Sequence, residues 1–300
     1  MPTLDIDNPT ELASYAISKR CVLMSLHISV WPASKQDKEL ALETSEKHKA
    51  DSDMITTNKR LFKSQAFEDI KSYAAATRVL HHKWCQPWGE VGEERILSAD
   101  HFYAYTDLMR ERRAEFNRLC EIFFPLYAQI LQDCQTALGT AWKSRDYPGI
   151  FSVREKFKFI LVPKPVPTAG DFRINLRPED IEMMQKASER DAKAAIKNAN
   201  DEVWRKLYAA LSHLAERCLD PNAKKIFATS VTNLAELADM LPGFNIGNDP
   251  EMDEMARKIK RSLIVDIKDL RGSDELKASV GKQCREEAEK IQQMLENLFS

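Results

Sequence analysis

The sequence predicts a mainly α protein with a minor β component: long antiparallel helices forming a coiled stalk, with a small β-hairpin or sheet at its tip. Three observations carry that expectation. Residues 98–142 and 178–219 are helix-patterned with almost no breaking residue. Between them, residues 154–177 (REKFKFILVPKPVPTAGDFRINLR) read as two basic strands joined by a proline-rich connection. Only 9 glycines occur while 30% of the chain is charged, a balance that suits helices better than tight turns.

The elements follow in order. Asp7, Asn8, Pro9, Thr10 and Glu11 make a helix start, with proline in the first turn and acids at the positive end of the dipole. That helix is expected to reach about Lys19. Residues 21–31 alternate as a strand, with Leu26, Ile28 and Val30 on one face, and Pro32 ends it because it cannot donate to a ladder. Residues 33–49 form a charged helix. Residues 62–84 form an amphipathic one, with Phe67, Ile70, Ala74, Thr77 and Leu80 at helical spacing. Residues 86–97, punctuated by Pro87 and Gly89, are expected to be a loop, and Ser98 is a good N-cap for the first long helix.

In that helix the apolar ladder is Phe102, Tyr105, Met109, Phe116, Leu119, Phe123, Leu126 and Ile130, with Arg112 the one charged intruder. Its mean step of 3.5 is the left-handed coiled-coil period. Pro125 is expected to kink or split the helix. The second ladder runs Ile181, Met184, Ser188, Ala192, Ala195, Ala199, Val203, Leu207, Leu211, Leu214 and Cys218. Its step is nearer 3.7, so this helix is expected to be straight or slightly right-handed, with an alanine-rich middle suited to close packing. Because the two helices flank the hairpin, an antiparallel pair is the economical arrangement, within one chain or between chains.

Residues 220–241 form a further helix closed by Pro242 and Gly243, and residues 245–250 read as a linker. Residues 252–270 and 274–299 make a charged helical hairpin broken at Gly272, with interleaved acids and bases. The expected organisation is a stalk domain over residues 1–245 and a C-terminal helical hairpin over 249–300, acting as an assembly element.

Composition narrows the function classes. The net charge of −2 gives no global attraction for polyanions, so nucleic-acid contact would need a local patch. The 6 cysteines form no CxxC pair and fall mostly on apolar helical positions, where thiols act as small hydrophobes. The acidic N-terminus lacks the basic and apolar regions of a signal peptide. No run approaches the ~18 apolar residues that a membrane span requires. The expectation is a reduced, cytoplasmic protein with no membrane partner.

No phosphate-binding loop, dinucleotide fingerprint, HExxH or GxSxG occurs, so a non-enzymatic protein without cofactor is expected. His81 and Cys85 share a helix face and, with His82 and His101, are the nearest approach to metal ligands. Zinc needs four such groups, and the alternative is a helix end where histidines cap carbonyls. Glu90, Glu93, Glu94 and Asp100 crowd a loop beside Trp88; a solvated acidic loop and a carboxylate pair for acid–base work are both open.

The basic hairpin is the better candidate. Arg154, Lys156, Lys158, Lys164, Arg173 and Arg177 face only Glu155 and Asp171, a local charge of +4. Phe157 and Phe159 alternate with the lysines, the pattern of single-stranded nucleic-acid platforms where charge tracks phosphate and rings stack on bases. The alternative is that the phenylalanines pack inward and the lysines guard a strand edge. A second cluster, Arg110, Arg112, Arg113 and Arg118, has Glu111, Glu115 and Glu121 at helical pairing distance.

Four separated blocks occur together: LHISVWPASKQDK at 26–38, PWGEVGEERIL at 87–97, YTDLMRERRAEF at 105–116 and FILVPKPVPTAGDFRINL at 159–176. They resemble a family of unknown function from tailed phages and prophages, over roughly residues 20–245. Members of that family are often encoded near a MoxR-type AAA+ ATPase and a von Willebrand-A-like protein. The resemblance implies a viral accessory protein in the bacterial host cytoplasm, an adaptor or substrate for such a machine. Two functions are expected from these readings. One is binding of single- or double-stranded DNA in replication or recombination. The other is a protein–protein adaptor or host-defence inhibitor, with an AAA+ ATPase or a second copy of the chain as partner.

Overall fold

A computed structural model describes residues 17–88, 94–167, 178–220, 228–245 and 249–297. It is mainly α with a small antiparallel sheet, as the patterning requires. The strands are β1 (Cys21–Ser29), β2 (Ser34–Gln36), β3 (Asn58–Arg60), β4 (Gln86–Pro87), β5 (Glu94–Ser98) and β6 (Lys158–Pro165). The α-helices are α1 (Lys38–His48), α2 (Gln65–Trp84), α3 (Phe102–Leu138), α4 (Ile150–Arg154), α5 (Pro178–Leu219), α6 (Ala228–Phe244), α7 (Pro250–Lys258), α8 (Ile267–Gly272) and α9 (Asp274–Asn297). One sheet has the order β4-β5-β1-β6, with Cys21 opposite Ser98 and Ser25 opposite Glu94; β2 and β3 form a separate antiparallel ribbon.

The chain divides into two compact units. The first holds Met1–Ser25, His82–Tyr105 and Val162–Ser300; the second holds Leu26–His81 and Thr106–Leu161. In the first, α5 packs mainly on α9, with α6 also against it, where the sequence pattern pairs it with residues 98–142. The reason is visible in the seam. Val203, Leu207, Leu211 and Leu214 of α5 share one core with Leu234 and Leu241 of α6 and Val280, Cys284 and Ile291 of α9. Gly281 fits the crossing because a Cβ there would stand 2.9 Å from the Cys218 Cβ. The residues after Asp249 thus belong to the same core as α5.

The core of the second unit is aromatic. Trp31, Phe62, Phe67, Phe116, Phe123, Phe124 and Tyr127 are buried together, with Phe62 and Phe123 stacked at 5.9 Å. Along α3 the buried residues of this core are Phe116, Cys120, Phe123, Phe124, Tyr127, Ile130 and Cys134, a stripe at the 3.6-residue α-helical period. Leu126, expected in the seam, is therefore 46% exposed. Pro125 interrupts nothing: α3 continues through it. It sits on the exposed face, where water can satisfy the carbonyl that loses its donor.

Three further boundaries differ from expectation. Residues 86–97 hold β4 and most of β5, because pairing of β5 with β1 and of β4 with β5 supplies what their short apolar run lacks. Pro242 and Gly243 lie inside α6, which ends at Phe244. The 252–270 helix passes after Lys258 into a π-turn over Ile259–Leu263 and stops there, and α8 begins at Ile267. The predicted N-terminal helix falls largely outside the described residues, as does the second arm of the hairpin.

Candidate functional site

The basic strand is only partly the platform that its sequence suggests. Phe157 packs on Phe124 at 5.5 Å and on Phe123 at 5.8 Å, and Phe159 lies 5.8 Å from Phe116. Both rings are committed to the aromatic core, so the expected stacking on bases loses its open faces. Arg154 stacks over Phe124 at 4.4 Å and pairs with Glu121 at 3.1 Å. Lys164 pairs with Glu94. Lys156 and Lys158 are exposed and have no ion-pair partner among the described residues. Arg173 and Arg177 lie outside the described residues. The strand's inward face thus packs on the core, and among the described residues of this basic segment Lys156 and Lys158 are the lysines without an ion-pair partner.

The other candidates resolve as ordinary contacts. Arg118 holds Glu115 through two hydrogen bonds, Arg110 pairs with Asp107, and Arg112 lies over the Tyr73 ring at 5.1 Å. Glu90 and Glu93 lie outside the described residues; Ser98 caps the turn entering α3 by accepting from the Asp100 N–H at 3.3 Å. Among the described residues no three His, Cys, Asp or Glu side chains form a metal-holding group. Cys85 is fully buried, and burial pushes its thiol up to about 12, against a smaller opposing effect of a hydrogen bond with Tyr105. Such a thiol is inert at neutral pH.

A different site emerges on α5. Lys193, Ile196, Lys197, Asn200, Asp201 and Trp204 recur every three or four residues and line one wall of a groove of about 620 Å³. Asp249 and Glu251 at the start of α7, with Met294 near the end of α9, form the other wall. That wall is held firmly. The Asp249 side chain accepts from the Glu251 N–H at 2.9 Å and so caps α7. Asn245 accepts from the Asp249 N–H at 2.6 Å, and its Nδ2 donates to the Asp249 carbonyl at 2.7 Å and to Asp253 Oδ1 at 3.0 Å.

One turn further along α5, Lys206 donates to the His82 carbonyl at 2.8 Å and to Gln86 Oε1 at 3.1 Å, tying the helix to the end of α2 and to β4. Burial pushes this ammonium down to about 8, with Glu202 acting against that shift.

The groove is unusual in what it leaves unsatisfied. Asn200 Oδ1 is buried without a hydrogen-bond partner. Asp201 is 6% exposed, yet it has no hydrogen bond or ion pair among the described residues. Buried acceptors normally find donors, and each exception calls for an explanation. Here both line a groove whose volume lies in the range of ligand sites. Trp204 and Met294 add apolar surface, while the exposed Lys193 and Lys197 add positive charge farther along. Sequence patterning missed this site. Its one local signal is Asn198, Asn200 and Asp201, three poor helix formers in the middle of a long helix. The chain matches no family model, no curated protein and no solved structure.

Proposed function

We propose that this protein is a non-enzymatic accessory protein that binds a macromolecular partner, and that the partner is a polypeptide held in the α5 groove. The observation that carries this reading is a groove with apolar surface and charge of both signs, lined by the Asp201 carboxylate, which has no hydrogen bond or ion pair among the described residues. Polypeptide offers what such a surface lacks: N–H donors, apolar side chains and alternating charge. An adaptor role fits the phage setting implied by the sequence resemblance, with a remodelling ATPase or a host protein supplying the segment. The C-terminal helices then serve docking by building one wall of the groove.

The test is an mRNA-displayed peptide library selected on the full chain and, in parallel, on a Lys197→Glu/Glu251→Lys variant. Both positions are exposed and line the groove, so the variant is expected to fold. Peptide families recovered by the wild type and lost by the variant are the expected result. DNA binding is measured beside it, by anisotropy of labelled single and double strands across a salt series. Micromolar DNA binding that weakens with salt and vanishes in Lys156→Glu/Lys158→Glu, with no groove-dependent peptide, would overturn the polypeptide reading.

A further inference from the structure

The groove has a polarity, and its order along α5 specifies what it holds. Asp201, Lys197 and Lys193 are spaced four residues apart, so at 1.5 Å per residue the two lysines stand about 6 and 12 Å from Asp201 along the helix axis. Asn200 Oδ1 adjoins Asp201, and Trp204 lies one turn to the other side. The anionic end has two acceptors in want of donors and a large apolar surface; the cationic end is exposed to solvent.

A polypeptide N-terminus brings the matching groups in the matching order. Its ammonium carries three donors and a positive charge for Asp201. The first side chain lies where Trp204 and Met294 offer apolar contact. An extended chain then advances about 3.4 Å per residue with alternate side chains on one face. Residues three and five fall about 7 and 14 Å from the first, in register with Lys197 and Lys193 within the reach of a lysine side chain.

A lysine side chain from a partner would supply the ammonium, but not an apolar group at the same point. Resting on the peptide-binding reading above, we infer that the α5 groove captures the free N-terminus of a partner polypeptide, with an apolar first residue and acidic third and fifth residues. The bound chain runs antiparallel to α5.

The experiment uses the full-length protein and the probe Leu-Ala-Glu-Ala-Glu carrying a C-terminal fluorophore, with its amine free or acetylated. Acetylation removes the charge and leaves the carboxylate buried without its partner, so affinity is expected to fall about 30-fold or more. In Asp201→Asn the free and acetylated probes are expected to differ by less than about threefold, since no carboxylate remains to be paired. In Lys197→Glu the preference is expected to move toward Leu-Ala-Lys-Ala-Lys. A third probe, acetylated but with an internal lysine, separates the two sources of an amine.

Melting curves confirm that each variant is folded before binding is read. Equal binding of free and acetylated probes, an acetylation loss unchanged in Asp201→Asn, tight binding of the internal-lysine probe, or no binding of any probe would each overturn the inference. These failures differ from failure of the wider reading. Library peptides that need the groove but ignore acetylation leave peptide binding standing and remove only the N-terminus.

Discussion

In the unit formed by Leu26–His81 and Thr106–Leu161, Lys59 is buried to 4% exposure and its ammonium is surrounded: Asp146 at 2.9 Å, Asp37 at 3.1 Å and the Ala141 carbonyl at 2.8 Å. Lys35 completes the network by holding the other oxygen of Asp146 at 2.6 Å. In the other unit, Asp201 is equally buried and has no hydrogen bond or ion pair among the described residues. At the Lys59 cluster the fold neutralises its buried charge; at Asp201 a carboxylate that lines a groove has no such partner among the described residues. The difference separates a structural ion cluster from a surface awaiting a ligand. Burial is common to both sites, and satisfaction is what distinguishes them.

The largest expected effect comes from emptying the filled site. Lys59→Met removes the ammonium and leaves two carboxylates buried side by side. The expected cost is about 3 kcal/mol, read as a fall in the urea midpoint of the second unit. Acid attacks the same cluster. Hydrogen bonding from Lys59 is the chief cause holding Asp37 below the usual carboxylate range. Burial alone pushes Asp146 upward, and bonds from Lys35 and Lys59 overcome it, so its carboxyl is also lowered. A lowered folded pKa means the unfolded chain takes up protons first. The stabilisation is therefore complete above the ordinary carboxylate pKa near 4 and is lost as pH falls through the folded values. In Lys59→Met this acid dependence is expected to flatten, which urea midpoints between pH 6 and about 3 would show.

A smaller effect is expected where the first unit packs most tightly. The Gly243 position lies against His101 so closely that a Cβ would stand 2.0 Å from its Cε1. His101 in turn meets Trp84 and Phe244 edge-on, at 5.9 and 6.1 Å. Gly243→Ala must displace that ring, at a cost of about 2 kcal/mol, measurable as a lower melting temperature. The His101 ring is also held neutral. Burial lowers its pKa, Asp100 opposes the shift weakly, and Nδ1 has no partner. Protonation therefore favours unfolding: stability is full above pH about 6.5 and declines as pH falls toward the folded value. His82 shifts in the same direction through burial and adds to the slope. His101→Phe should reduce that slope between pH 7 and 5; an unchanged slope would assign it to His82.

How far these sites were legible depends on how local their signals are. α2 follows from Phe67, Ile70, Ala74 and Thr77, which share one face by spacing alone, and all four are buried. α3 was equally plain, but its buried stripe turns from Leu126 to Tyr127 because the buried positions recur at the 3.6-residue period instead of 3.5. β4 and β5 read as loop since Pro87 and Gly89 punctuate them; the strand character of β5 comes from pairing with β1, some seventy residues away in sequence, and that of β4 from pairing with β5. The phenylalanines of β6 showed correct alternation, but nothing local reveals whether the apolar face meets a core or a nucleobase. The groove lay beyond sequence reading because Asp201 meets Asp249, Glu251 and Met294 only after α7 and α9 fold back onto α5.

The sharpest use of the comparison is one substitution made twice. Asp146→Asn removes a charge that two lysines hold, so it leaves Lys59 underpaired and is expected to lower stability by about 2 kcal/mol. Asp201→Asn removes a charge that nothing in the described fold pairs. It keeps the side-chain volume while ending the cost of burying an ion, so the change is expected to be within about 0.5 kcal/mol or stabilising. Urea unfolding of the two full-length variants checks both signs together. A loss at Asp201 comparable to that at Asp146 would show that the carboxylate has a structural partner, and the groove would lose its chief acceptor. A neutral or positive change would mean that the fold gains nothing from keeping an unpaired carboxylate there. Its place on α5 is then explained by what it binds, the usual relation between a destabilised site and its ligand.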